Sequence, residues 1–250
     1  MRESIECTEW GLYTKPAFRL LREESEHPVL LVCEHASRFI PDALNDLGLD
    51  ETAAQEHIAW DIGALALAER LSETLGATLL SANYSRLLID LNRPLHVADS
   101  IPAQSEIYQV PGNQSLDGTT REYRQQCLFH PFHDQLRALI DQRLGENRTV
   151  RVVGIHSFTP VFYGQPRALE AGVLFGEARD YAQRIVDGLG RHSLRAAGNQ
   201  PYKVSPLSDM TVPVHGDGRG LESVLIEVRN DQLRSPESVR TWSAYLAALL

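Results

Sequence analysis

The chain has 250 residues, 43% apolar and 23% charged, the make-up of a globular protein long enough to bury a full core, which excludes a disordered, collagenous or coiled-coil chain. Lys and Arg number 24 against 33 Asp and Glu, so the formal charge of -9 advertises neither nucleic acid nor an anionic membrane surface as a partner. No stretch reaches the roughly 20 apolar residues of a membrane span, and Glu3, Glu6 and Glu9 stand where a signal peptide would place its apolar run, so a cytoplasmic protein is expected.

There is no internal repeat and no linker-like run, so residues 1-250 are expected to form a single domain, with 1-27 as a peripheral N-terminal segment. Pro28 to Cys33 is short and β-branched enough for a buried strand and stops at the polar Glu34-His35-Ala36-Ser37. Glu56 to Leu75 places Ile58, Ile62, Leu65, Leu71 and Leu75 at helical spacing and meets Gly76, a glycine cap. Thr78-Ser81 and Arg86-Leu91 read as two more strands. The passage from Asn92 to Gly118, with Pro94, Pro102, Pro111 and Gly112, is longer than a connection within a compact domain usually is, and such loops are often functional. Thr119 to Leu144 reads as an amphipathic helix. Strand Arg151-Ile155, strand Ala171-Phe175, helix Ala178-Leu189, strand Val224-Val228 and helix Pro236-Leu249 complete an alternation that predicts a mixed, mostly parallel sheet covered by helices.

The three cysteines, Cys7, Cys33 and Cys127, form no Cys-x-x-Cys pair and fit free thiols in a reducing compartment. Cys33 and Ser157 each neighbour a histidine, but sequence neighbours on a strand do not make a nucleophile and its base, and no Gly-x-Ser-x-Gly elbow occurs.

Sites in open α/β sheets form beyond the carboxyl ends of strands, and the residues there are Glu34-His35, Asn92-Arg93 and His156-Ser157. His35 and His156 with one carboxylate make the three-ligand shell of a catalytic Zn²⁺ ion, one per chain. Asp61 is the carboxylate expected, set i, i+4 from His57 on one helical face; Glu34 and His57 are the alternative ligands. Glu227 lies inside an apolar strand, where it is either ion-paired with an arginine such as Arg229 or a general base with a raised pKa. The run Arg86 to Arg93, with Asn92, matches an acidic substrate's carboxylate unless Asp90 neutralises an arginine within the fold, and Arg167 is a further anion contact. The glycine-rich Val214-Gly220, carrying His215, reads as a flap over the site.

Taken in order, Cys33-Glu34-His35-Ala36-Ser37, His57 through Ala64, Asp90-Leu91-Asn92-Arg93-Pro94, His156-Ser157-Phe158-Thr159-Pro160 and Ile226-Glu227-Val228-Arg229 resemble the motifs of the N-formylglutamate amidohydrolase family. The resemblance runs from about Pro28 to the end. It implies the phosphorylase/hydrolase-like α/β fold of zinc carboxypeptidases and aspartoacylases, a three-layer domain with helices on both faces of the sheet. It also implies hydrolysis of N-formyl-L-glutamate to formate and glutamate, a step of histidine breakdown. Residue by residue it assigns His35, His156 and an acid, Asp61 first, to zinc; Glu227 to proton transfer; and Arg86, Asn92 and Arg93 to the substrate carboxylate, while Arg167 and His215 stand as further substrate contacts on the reading of the residues alone. The expected partner is thus a small anionic N-acyl amino acid, held in a local cationic cleft of an acidic protein. Other readings are a hydrolase of another N-acyl amino acid or of a peptide or cell-wall amide on the same zinc site, and a binding protein that senses an acidic metabolite without cleaving it. The helices are as able to pair subunits of a homo-oligomer as to face water.

Overall fold

Short aliphatic runs with every side chain buried have nowhere to go but the middle of a sheet covered on both faces. In the computed structural model, which describes residues 12-250, seven strands pair into one sheet, the inner ones buried along nearly their whole length and the two edge strands only partly. They are β1 (Phe18–Leu21), β2 (Val29–Cys33), β3 (Thr78–Ala82), β4 (Arg151–Phe158), β5 (Ala171–Leu174), β6 (Ala196–Gly198) and β7 (Glu222–Arg229), in the spatial order β1-β3-β2-β4-β7-β5-β6. β3, β2, β4 and β7 are parallel, β1 is antiparallel at one edge, and β5 turns antiparallel to β7 with β6 parallel to it at the other. The mixed, mostly parallel sheet expected from the sequence is present. β1 is an addition, formed by part of the segment expected to be peripheral, and so is β6.

Alternation along the strands sorts the core into two layers. Val29, Leu31 and Cys33 of β2 pack with α1 (Ala64–Leu75), α4 (Arg179–Gly190) and α5 (Pro236–Ala247). Leu30 and Val32 face the other way, against α3 (His130–Gly145) and the loops before it. Each fully buried Leu or Val contributes roughly 1.5–3 kcal/mol relative to exposure, so this two-sided burial is what holds the sheet between its helices.

Three local expectations are corrected. The helix expected from Glu56 begins only at Ala64, because Gly63 takes the left-handed φ of 83° and a Cβ there would lie 2.5 Å from Leu233 Cβ. Residues 56-62 instead make turns, drawn to the end of β2 by Asp61 N–H donating to His35 O at 2.9 Å, so His57 and Asp61 share no helical face. The run from Arg86 to Leu91 is a buried set of turns rather than a strand. Leu88 N–H bonds Ser85 O, Arg93 N–H bonds Asp90 O, and Leu87, Leu88 and Ile89 all enter the second core layer. The flap expected at Val214-Gly220 is packed: Thr211–Gly216 is a π-helical turn, and Gly216 sits so close to Ser223 that a Cβ would lie 1.9 Å from its hydroxyl.

The long helix expected from Thr119 is present, running without a break as α2 (Gly118–Arg124), a π-turn at Gln125–Phe129, and α3. Pro131, in the first turn of α3, lacks the N–H that would continue an α-helical ladder, which is why the extra residue is accommodated just before it. Cys33 is a free, buried thiol, whereas Cys127 is disulfide-bonded, against the expectation of free thiols; Cys7 lies outside the described residues, as do Glu3, Glu6 and Glu9. Among the described residues no helix is long and apolar enough to cross a membrane.

Candidate functional site

From β2 the chain crosses to β3 on one side and later returns to β4 on the other, so a crevice opens at the carboxyl ends of β2 and β4. His35 stands two residues past β2, His156 is in the last half of β4, and Asp61 hangs between them on the turn before α1. Asp61 Oδ2 lies 2.9 Å from His156 Nδ1 and 3.4 Å from His35 Nδ1. All three residues are buried, and their facing atoms lie within 4.8 Å of one another, the one such His, Cys, Asp or Glu cluster among the described residues.

Behind each imidazole stands a second carboxylate. His35 Nε2 donates to Asp90 Oδ1 at 2.8 Å and His156 Nε2 donates to Glu34 Oε2 at 2.9 Å. That pairing commits the Nε2 protons and turns both Nδ1 atoms toward Asp61, the arrangement in which an outer carboxylate orients a metal-ligating histidine. His35 Nδ1 is buried with no hydrogen-bond partner, which costs free energy unless something accepts its lone pair. Two imidazole nitrogens and a carboxylate oxygen, one of the three orphaned, fit a divalent cation such as zinc.

The electrostatics agree. Burial alone would raise the Asp61 and Asp90 carboxyls, but the histidines beside Asp61, and Arg86 with His35 beside Asp90, hold both well below the usual range. Glu34 is treated likewise, its burial outweighed by His156, and sits at about 2. Burial opposes charge on His156 too, yet Glu34 and Asp61 hold its pKa well above the usual value. Three ionised carboxylates around two imidazoles leave a local excess of negative charge suited to a cation.

Glu227 is the exception among the acids. It pairs with His156 across the parallel β4–β7 ladder, its Oε2 is buried without a partner, and Arg229 bonds Asp231 at 2.7 Å instead. Burial, reinforced by the Asp61 charge, raises its pKa to about 7. Among the described residues it forms no ion pair with arginine, the first of the two readings open from the sequence.

A cavity of about 500 Å³ opens over these groups, lined also by Arg86, Asn92, Arg93, Glu106 and Tyr202. Arg86 is largely spent: Nε and Nη2 donate to Asp90 Oδ2 at 3.0 and 2.6 Å, and Nη1 reaches Asp61 Oδ1 at 3.4 Å. Arg93 Nη1 donates to Asp209 and to Ser208 O, and Asn92 Oδ1 accepts from the N–H groups of Met210 and Thr211.

Four sequence candidates sit elsewhere than expected. Glu34 stands behind His156 rather than beside the cluster, its other oxygen accepting from the Thr211 hydroxyl. His57 Nε2 lies 2.9 Å from Glu106 Oε2 on the cavity wall. His215 is buried away from the cavity, where its Nε2–H donates to His133 Nδ1 at 2.9 Å and His133 Nε2–H donates to Leu91 O. Arg167 is packed against the rings of Phe162 and Tyr202 rather than open to the cavity. The sequence reading gave Asp90 no role beyond neutralising an arginine, which it does for Arg86; its hold on His35, 55 residues away, had no local signal.

Comparison with known proteins places this geometry in context. A search of curated proteins finds no match. A gene product of Agrobacterium tumefaciens is 38% identical, with 94% of this chain covering 93% of that one at a TM-score of 0.89. The N-formylglutamate amidohydrolase of Ralstonia eutropha JMP134 shares the fold at 19% identity, over 94% and 96% of the two chains, with a TM-score of 0.69. The sequence model for N-formylglutamate amidohydrolase matches residues 27–234, the span that contains every side chain of the site. On that match and that geometry, the chain belongs to the N-formylglutamate amidohydrolase family.

Proposed function

We propose that the protein is a metal-dependent amidohydrolase that cleaves the amide of a small N-acyl acidic amino acid, with N-formyl-L-glutamate as the first substrate to test, and that the whole chain is one amidohydrolase domain. The observation that carries this reading is the convergence of His35 Nδ1, Asp61 Oδ2 and His156 Nδ1 beside the unpartnered carboxylate of Glu227. A zinc or other divalent ion held by those three residues would polarise the scissile carbonyl and acidify the attacking water.

The chain's own groups supply the rest. Glu227, poised at about 7, accepts a proton from the attacking water and returns it to the amine as the C–N bond breaks, work for which a pKa near the operating pH is best. Asp90 and Glu34 hold the two imidazoles in one orientation. Asn92 Nδ2 and the guanidinium nitrogens of Arg93 not taken by Asp209 are the anchors for a substrate carboxylate. Arg86 fixes Asp90 and Asp61 through three of its five N–H groups and keeps one N–H on each Nη for a ligand in the cavity it lines.

The test is metal analysis of the purified protein with an assay of formate release from N-formyl-L-glutamate, run beside N-acetyl and other N-acyl derivatives of glutamate and aspartate. One bound ion per chain and release of acid from at least one of these amides are expected. A protein that binds no divalent ion, or that releases no product from any of them, overturns the reading.

A further inference from the structure

A polar group in a cavity helps a substrate only if nothing in the protein has already claimed it. Several donors here are claimed: three of the five Arg86 N–H groups by its two aspartates, the Ser157 hydroxyl by Ile62 O at 2.8 Å, and the Thr159 hydroxyl by Val161 O at 2.8 Å. Tyr202, on the loop after β6, is different. It lines the cavity, it is 39% exposed, and its hydroxyl oxygen accepts a hydrogen bond from Arg167 Nη1 at 2.7 Å. Its own hydroxyl proton has no acceptor among the described residues.

The arginine behind it is fixed. The guanidinium carbon of Arg167 lies 4.3 Å from the centre of the Phe162 ring and 5.7 Å from that of Phe158. Its backbone N–H donates to Pro160 O, and the carbonyls of Arg167, Ala168 and Leu169 all accept from Arg229 Nη1. Arg167 is therefore held against the phenol rather than free to swing onto a ligand. A hydroxyl whose oxygen accepts from a guanidinium is a stronger donor through its own hydrogen. Burial and the charge of Glu227 also raise the Tyr202 pKa, so the phenol keeps its proton at neutral pH and stands within electrostatic reach of the group that handles the water.

We propose that Tyr202 donates its phenolic hydrogen bond to the oxygen of the scissile amide as negative charge builds on it, with Arg167 as the positioning residue that holds and polarises the phenol. This rests on the amide-hydrolysis reading. The proton stays on Tyr202 throughout, and the gain comes from a donor that Arg167 holds at the cavity wall before charge develops.

The experiment compares wild type, Tyr202→Phe, Arg167→Gln and the double variant on the best N-acyl amino acid substrate. Tyr202→Phe is expected to lower kcat roughly 100-fold, the scale for loss of one such donor, with KM unchanged. Arg167→Gln is expected to lower kcat less, and to have no further effect once Tyr202 is Phe. In the intact protein, 3-fluorotyrosine at position 202 is expected to move the alkaline limb of kcat to lower pH, which a packing role would not do. Wild-type kcat in Tyr202→Phe, a loss confined to KM, or an alkaline limb that stays put overturns the proposal while leaving the amidohydrolase reading intact. A wild-type protein that cleaves no N-acyl amino acid overturns that reading and this proposal with it.

Discussion

Glu227 of β7 and His156 of β4 are directly opposed across a parallel ladder, and both side chains line the same cavity. The register places a carboxylate that lacks a partner next to an imidazole that has two, so the two residues answer differently to mutation. Glu227→Gln keeps shape and removes the titrating group. Turnover is expected to fall by roughly 10²–10⁴, the usual contribution of a general base, with metal content unchanged and a thermal midpoint no lower than wild type. Steady-state kinetics, metal analysis and a melting curve on one preparation check all three; undiminished kcat would remove Glu227 from proton transfer.

The carboxylates behind the histidines make a second prediction. Glu34→Gln and Asp90→Asn leave His35, Asp61 and His156 in place but take away the charges that His156 and His35 donate to. Metal affinity is expected to fall roughly 10–100-fold in each, measured by competition with a chromogenic chelator. Full removal of the ion from wild type is expected to abolish turnover and lower the thermal midpoint, and adding it back to restore both. Equal affinity in wild type and Glu34→Gln would mean that Glu34 does not support the site.

Gly172 offers a steric prediction remote from any titration. It pairs with Glu227 on the β5 side, and a Cβ there would lie 1.9 Å from Gln200 O, a backbone atom with no rotamer to yield. Gly172→Ala is expected to cost about 1–3 kcal/mol in urea unfolding, the scale of an overpacked core. Because Gln200, whose carbonyl would have to yield, lies in the loop that carries Tyr202, kcat is expected to fall as well. An unchanged urea midpoint would show that the loop relaxes without cost.

The buried pair His133 and His215 sets the behaviour in acid. Burial, assisted by the neighbouring imidazole and by Arg137 and opposed by Glu34, lowers His215 to about 3; burial lowers His133 to about 4. Both lie below the unfolded value near 6.5, so the native state holds these rings neutral where the unfolded chain takes up protons. Their contribution is complete above pH 6.5 and is lost as the pH falls toward 4, on the order of 3 kcal/mol for His133. Urea midpoints at pH 7, 5.5 and 4.5 give the decline, and the imidazole C2 protons in an NMR titration identify its source. Resonances of His133 or His215 that titrate near pH 6.5 would contradict the assignment.

What the sequence discloses follows from how local the signal is. β2 and β4 are legible because unbroken aliphatic runs bury on both faces, and His35 and His156 are legible because polar residues interrupt those runs at the crevice end. Asp61 is legible by type but not by setting: its i, i+4 spacing from His57 assumes a helix, since the helical period runs straight through Gly63 and only the close approach of Leu233 shows why the helix cannot. Leu87-Leu88-Ile89 misleads for the same reason in reverse: three buried aliphatics fit a strand, while the Arg86–Asp90 bracket that folds them into turns is visible only once Asp90 also meets His35. Arg167 and His215 have the chemistry of ligand contacts, and nothing in their neighbours reveals that one is stacked in a wall and the other is spent on His133.

The hydrogen bond from His156 to Glu34 joins positions 122 residues apart. Bringing such distant segments together carries a loop-closure cost that must be met before the contact returns anything, so it is expected to form late in folding. The pocket is consequently a property of the finished sheet: a nascent or partly unfolded chain that has built β2 and β3 but not yet added β4 holds His35 without its counterpart. Catalytic competence should appear in step with the last cooperative closure of the sheet, and intermediates released early from refolding should be inert however much helix they contain.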